Sequence, residues 1–429
     1  MKQVLYILAF LMSTTLLSSA KDIVVFQSGG KVTSIHQAIE SANNGDRIIV
    51  KKGFYSEGNI NIDKSVELIG EDHPIIDGAN NTEIITIHSD NVIVRGFIVQ
   101  NSGASNLKDM AGIKIENSKN CRIESNELTN NFFAVYLGNS SYCSVISNNI
   151  HSNAVSESSS GNGIHLWKCN NIFIDNNTIT GHRDGIYFEF VTNSKVTGNI
   201  SRNNLRYGLH FMFSHGDTYE NNTFGSNGAG VAVMYTKNVR MIGNKFENNW
   251  GPNAYGLLLK DIENSFIYKN TFYKNTTAVF MEGGIRLYFS DNDFTENGWA
   301  MKIQGDCTDD TVTHNNFTGN TFDIATNSSR NPNVFNENYW DKYNGYDLNR
   351  DGIGDAPYRP VSLFSIIIDR TPETIFLLRS FIVNLLDLAE KVAPVFIPET
   401  LIDEHPLMAK YINNNNLYGV NASVNMEKR

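Results

Sequence analysis

The 429-residue sequence predicts an all-β fold, a right-handed parallel β-helix, and three observations carry that expectation. The first is a recurring phrase: an asparagine, any residue, a large apolar residue, and a second asparagine three places further on. Its first asparagine stands at Asn126, Asn148, Asn177, Asn199, Asn222, Asn244, Asn270, Asn292 and Asn315, at steps of 22, 29, 22, 23, 22, 26, 22 and 23. The apolar partners are Leu128, Ile150, Ile179, Phe224, Phe246, Phe272, Phe294 and Phe317; the second asparagine recurs at Asn131, Asn153, Asn204, Asn227, Asn249, Asn275, Asn297 and Asn320. The second observation is the base period, 22 residues, which marks stacked units that bury their apolar faces only against one another. The third is residue type: the segments between asparagines are short, alternate in hydrophobicity and favour Ile, Val and Phe, without helical leucine spacing. Asparagine suits the corners of such coils on two grounds, its tolerance of left-handed backbone and the pairing of stacked amides into a ladder. Two slots deviate: the fourth repeat places its apolar residue at Ile200, and the third carries His182 for the second asparagine.

Residues 1–20 combine Lys2, an apolar run from Val4 to Leu17, and the small residues Ser18 and Ala20, the pattern of a cleavable secretory signal; the run is short for a membrane anchor. Residues 21–55 are read as an N-terminal cap. Within them TSIHQAIESA (33–42) has helical spacing, Thr33 or Ser34 as N-cap and a stop at Gly45, and a helix there would cover otherwise unpaired strand edges. The β-helix is assigned to 56–340 and a calcium-like loop with linker to 341–371. In that loop Asp347, Asn349, Asp351 and Asp355 occupy positions 1, 3, 5 and 9 of a calcium loop, with Gly352 at the turn. Tyr358 stands where the closing glutamate belongs, so an ordinary Asx-rich turn is the alternative. Residues 372–429 form a C-terminal helix and tail. The helix, expected over 372–393 behind Pro372, is apolar on much of its circumference, and either packs back on the solenoid or docks on a membrane-embedded partner. Deleting 372–429 is expected to leave a folded β-helix.

With 35 basic against 45 acidic residues the net charge is −10, which argues against a nucleic-acid partner and leaves cations or neutral surfaces. The four cysteines, Cys121, Cys143, Cys169 and Cys307, are too few for a disulfide scaffold and show no CxxC pair. Cys121 and Cys143 share a slot in successive coils, which permits a disulfide, although buried free thiols are expected.

Each coil also has a strand opening on a small residue: Gly112, Ala134, Gly163, Gly185, Gly208, Gly230, Gly256, Ala278 and Ala300. Alternation turns the first and third residues after it inward and the second and fourth outward. The outward pairs in the middle coils are His165 and Trp167, Tyr187 and Glu189, His210 and Met212, Ala232 and Met234, Leu258 and Lys260, Phe280 and Glu282. A merely solvated face would carry Lys, Thr or Ser there, so this stripe is expected to be an exposed contact surface, walled on one edge by the insertions near 102–111, 154–162 and 250–255. His210, Met212 and Met234 are candidate ligands of one soft ion, copper(I), with Glu189, His165 and Glu282 along the same stripe. A protein-binding patch without metal is the alternative, since methionine is common at adaptable interfaces.

The phrases GHRDGIYFEF (181–190), LRYGLHFMFSH (205–215), NGAGVAVMY (227–235), NWGPNAYGLLLK (249–260), MEG (281–283), NGWA (297–300) and DGIGDAPYRP (351–360) resemble those of the NosD family, periplasmic β-helix subunits of the nitrous oxide reductase maturation system. The resemblance spans nearly all of the chain after residue 20. It implies a non-enzymatic periplasmic protein, peripheral to the inner membrane, that works with an ABC-type ATPase and permease. Such a protein would receive copper from a chaperone and support metallation of nitrous oxide reductase. A different class, a secreted polysaccharide lyase, epimerase or hydrolase, is suggested by fold analogy alone, with Tyr187, Glu189, Arg183 and His210 able to line a groove.

Overall fold

A computed structural model describes residues 20–105, 108–328, 332–378, 380–392 and 401–412. The expected signal segment, Ala20 apart, and the tail beyond 412 lie outside them. Each coil contributes three short strands, and these stack into three parallel sheets of 14, 12 and 13 strands. The first sheet runs from Asp22–Val25 to Val334–Asn336, the second from Ile60–Ile62 to Phe322–Thr326, the third from Phe54–Tyr55 to Tyr339–Trp340. The stack thus begins inside residues 21–55, where Asp22–Val25 and Arg47–Val50 are already paired. Between them helix α1, Ile35–Ser41, buries Ile35, Ala38 and Ile39 over the N-terminal end of the core. Ser34 is its N-cap, and Glu57 from the following turn accepts the N–H groups of Ile35 and His36 at 2.9 and 3.2 Å, which satisfies donors that a helix start leaves free.

The asparagine phrase builds the interior. Asn126, Asn148, Asn177, Asn199, Asn222, Asn244, Asn270, Asn292, Asn315 and Asn338 form one buried ladder. Each Oδ1 accepts both the backbone N–H and the side-chain amide of the asparagine one coil before, as Asn244 does from Asn222 at 3.0 Å twice, while each Nδ2 also reaches a carbonyl of an earlier coil. The corners divide the two tasks expected of asparagine between neighbours. Left-handed φ belongs to the residue just before the ladder position, Ser125, Ser147, Asn176, Gly198, Asn221, Gly243 and Lys269, whereas the ladder asparagines are selected for their amides. A second ladder runs from Asn204 through Asn227, Asn249, Asn275 and Asn297 to Asn320. The small residue of the second sheet follows from it: a Cβ on Gly208 would stand 2.7 Å from the Asn227 amide and from the Gly230 carbonyl.

Beside the first ladder, Phe246, Phe272, Phe294, Phe317 and Trp340 stack with centroids 4.7, 4.8, 4.8 and 4.1 Å apart. Two expectations change here. Ile200 does not enter the core: register places Ser201 opposite Ile179 and Phe224, and Ile200 turns outward. A one-residue slip would have reversed every side chain of that strand, so the ladder prevails over one apolar residue. Asn153 lies exposed outside the second ladder, bonding Asn130. All four cysteines are free and buried.

The single helix expected over 372–393 is two pieces, preceded by a further helix outside the expected range. Helix α2 begins earlier, Leu363–Arg370, capped by Ser362; Pro372–Leu377 is a 3-10 turn; helix α3 spans Phe381–Val392. Pro372 cannot extend a hydrogen-bonded helix from α2, which is why the break falls there. Phe364 and Ile368 of α2 pack on Trp299, Phe322 and Ala325, so one face does return to the solenoid. The chain then returns to finish the stack. Asp403 pairs beside Phe335, and its carboxylate accepts from Asn338 N and Nδ2, Glu337 N and Trp340 Nε1, closing the ladder at its C-terminal end. Deleting everything from 372 would therefore remove the solenoid's own cap.

Candidate functional site

The outward face of the second sheet resolves into two columns, set by the in-register pairing of its strands. One reads Tyr136, His165, Tyr187, His210, Ala232, Leu258 and Phe280; the other, two residues along each strand, reads Trp167, Glu189, Met212, Met234, Lys260 and Glu282. At roughly 4.8 Å between strands and 6.6 Å between alternate residues, His210, Met212 and Met234 occupy three adjacent stations. Glu189 precedes Met212 by one turn. His165 and Glu282 stand apart from this group: Tyr187 lies between His165 and His210, and Lys260 separates Met234 from Glu282 and bonds it at 3.1 Å.

The stripe is less open than alternation alone predicts. Outward rings a strand spacing apart cover one another, and Tyr136, His165 and Tyr187 stack with centroids 5.1 and 4.8 Å apart. His210 is only 5% exposed, wedged between the rings of Tyr187 at 5.0 Å and Tyr207 at 4.8 Å. Both its ring nitrogens are buried without a hydrogen-bond partner, an unusual condition for an imidazole. Met212 and Met234 are half-buried. The Tyr187 hydroxyl is 3.6 Å from the Met212 sulfur and 3.4 Å from Glu189 Oε2, and burial together with Glu189 pushes its pKa up to about 12, so it remains a donor. His165 bonds Asn162 at 2.9 Å, and burial, with Arg183 adding, pushes it down to about 3, a neutral ring.

Behind His210 lies a group that the sequence pattern did not single out. Asp184 is fully buried and is held by Arg206 through both carboxylate oxygens. Burial pushes its pKa up, but Arg206 and His210 more than offset that, so it stays below the usual carboxylate range. The available signal was the slot itself, just before the small residue, which other turns fill with Ala111, Phe133, Asn162, Tyr207 or Ala229. A second feature flanks the methionines. Phe190, Phe213 and Tyr235 stack with centroids 5.3 and 5.0 Å apart, are 45%, 38% and 39% exposed, and all have left-handed φ. The equivalent corners elsewhere, Asn117, Asn139, Lys168, Asp261 and Gly283, are left-handed too, so the turn imposes the conformation and the aromatic side chains alone set these three corners apart.

The Asp347 loop uses its side chains on its own backbone. Asp347 accepts from Gly352 N at 2.9 Å, Asp351 from Ile353 N at 2.8 Å, and Asp355 from Leu348 N at 2.6 Å, with Gly352 at φ +87°. Among the described residues no three His, Cys, Asp or Glu side chains converge as a metal site, so a metal on the stripe would require methionine. The donor set fits a soft ion: one unpartnered buried imidazole and two thioethers, one of them engaged only by a weak phenol contact.

Fold and stripe together define a parallel β-solenoid with one specialised lateral face. A family model described as "Periplasmic copper-binding protein (NosD)" matches residues 146–349, which enclose the stripe's centre. A relative in Pseudomonas aeruginosa, "Probable ABC transporter binding protein NosD", is 30% identical over 386 residues, covering 86% of this chain and 89% of its own length. The chain belongs to the NosD family. Two solved structures share the fold: the catalytic domain of a GH87 α-1,3-glucanase (TM-score 0.60, 12% identity, 75% of this chain and 69% of that one) and PfbA, a surface adhesin of Streptococcus pneumoniae (TM-score 0.55, 13% identity, 71% and 86%). At such identities the likeness concerns the fold alone.

Proposed function

We propose that this protein is a non-enzymatic copper-delivery and assembly subunit for nitrous oxide reductase. It would act in the periplasm, taking copper(I) from a chaperone and working beside an ABC-type permease and ATPase. The observation that carries the reading is His210, buried with two unpartnered ring nitrogens, next to Met212 and Met234 on successive turns. Thioethers and a neutral imidazole hold copper(I) without charge, and an open set of two or three soft donors lets the ion leave, as delivery requires. Glu189 and Tyr187 border these donors; His165 and Glu282 extend the same face. Phe190, Phe213 and Tyr235 form an exposed, stacked aromatic ledge beside the methionines, where the chaperone would seat.

For the permease, the reading uses the apolar residues that the 3-10 turn and α3 leave outside. Phe376, Phe381, Leu385 and Leu388 are 90%, 77%, 53% and 59% exposed, while no described helix is long and apolar enough to cross a membrane. Replacing these four by serine, with Asp403 left in place, is expected to abolish co-purification with the membrane partner and leave the solenoid intact.

The polysaccharide reading has Tyr187, His210, Asp184 and Arg206 in one patch, but Asp184 is fully buried and held by Arg206, out of reach of a bound sugar. Glu189 and Glu282 are four turns apart in one column, roughly 19 Å, against about 5–9.5 Å for paired glycosidase acids. Turnover of uronic-acid polymers by the purified protein would favour it. The deciding experiment for delivery is the triple variant His210→Ala, Met212→Ala, Met234→Ala. It is expected to fold normally, to lose copper(I) binding in a titration, and to leave the reductase unmetallated in cells; normal metallation would overturn the reading.

A further inference from the structure

We propose that Asp184, clamped by Arg206, is the positioning residue for His210: it accepts a hydrogen bond from the Nδ1–H of the ring, which keeps the proton on Nδ1 and leaves Nε2 as the only imidazole donor to copper. The inference rests on the copper reading above and specifies which atom that site uses.

Asp184 Oδ1 accepts from Arg206 Nε at 2.9 Å and from Tyr207 N at 3.3 Å, and Oδ2 faces both the Arg206 guanidinium and His210 Nδ1, 3.9 Å away. The carboxylate is therefore held by Arg206 and the Tyr207 amide, and beyond these its Oδ2 faces the imidazole at 3.9 Å and the partly exposed Arg183 Nε at 4.0 Å. The ring is packed between Tyr187 and Tyr207 without a hydrogen bond of its own, so a rotation that closes about 1 Å makes the bond to Asp184, as functional hydrogen bonds that are long in an empty site tighten when it is filled. A buried carboxylate costs several kcal/mol unless paired, and Arg206 meets that cost without using the Oδ2 edge that faces the ring. Metal-bound histidines generally donate their second N–H to a carboxylate or carbonyl, which fixes tautomer and ring angle. Asp184 is the group in this turn that can do so, one strand before His210 in the same sheet.

The first measurement needs no variant. In full-length protein with 15N-labelled histidine, titrated with copper(I), the His210 signals should show Nδ1 protonated and Nε2 metallated; metal on Nδ1 overturns the proposal. The second compares copper(I) affinity by competition with a chromophoric chelator. Asp184→Asn with Arg206→Gln, which removes both charges and leaves no unpaired buried ion, should bind about 10–100-fold more weakly, with tautomers mixed at His210. Wild-type affinity in that double variant, with His210→Ala weakened, overturns positioning and spares the copper reading. Wild-type affinity in His210→Ala overturns both.

Discussion

Inside the solenoid each turn copies its neighbour, whereas on the outward face of the second sheet the columns change residue at nearly every turn. Asn126 through Asn338 repeat because each amide needs an identical amide above and below, and Phe246 through Phe317 repeat because each ring is the floor for the next. The outward columns face no such requirement, so a run of Tyr, His, Tyr, His beside Glu, Met, Met reflects something other than folding. Repetition in this molecule marks structure, and departure from repetition marks the face proposed to hold copper. Asp184 sharpens the contrast, since it breaks the repeat at a slot that is buried rather than outward.

The strongest break in that comparison comes from an inner ring. Phe272→Ala should cost about 3–5 kcal/mol, read as a lower midpoint in chemical denaturation, because the rings on both sides lose their partner. The outward pair Met212→Ala and Met234→Ala, both half-buried, should cost less, about 1–2 kcal/mol; losses equal to that of Phe272→Ala would erase the distinction between the faces. Next comes the ladder's end. Asp403→Ala leaves the buried donors of Asn338 and Trp340 without an acceptor and should cost about 2–3 kcal/mol, with faster hydrogen exchange confined to the last turns.

A smaller effect is expected from pH. Burial raises Asp217 to about 8, and its Oδ2 has no partner, so the folded protein holds a proton that the unfolded chain releases near 3.8. Its stabilising contribution is complete below 3.8 and falls as pH rises towards 8. Burial lowers His182 and His165 to about 3, so each contributes fully above the unfolded value of 6.5 and less as pH falls towards 3. Below pH 6.5 the two histidine slopes outweigh the single slope of Asp217; above it the histidine slopes vanish, and stability should decline by about 1–2 kcal/mol between pH 6.5 and 8. Asp217→Asn should flatten that decline in melting curves; an unchanged slope would place its origin elsewhere. The smallest effect concerns the Asp347 loop. Asp351→Ala removes the bond to Ile353 N and should cost about 1 kcal/mol with chelator present; a larger loss with calcium present would show ion binding, and equal losses would leave a plain Asx turn.

Much of this was readable in the chain before any coordinates. A 22-residue period and two-residue alternation are local properties, and hydrogen-bonded register carries them from turn to turn, so the three-sheet stack and the placement of His210, Met212 and Met234 on adjacent stations follow from counting. What counting cannot reach are contacts between residues with no common period. The burial of His210 depends on rings from the turn before and from its own corner, and its carboxylate neighbour Asp184 sits 26 residues earlier at a slot with no fixed chemistry. Ile200 turned outward because one side chain cannot shift a whole ladder. Asp403 became the cap only because the chain after the helices folds back onto turns laid down more than 60 residues before, an encounter decided by tertiary packing and unmarked by any local pattern.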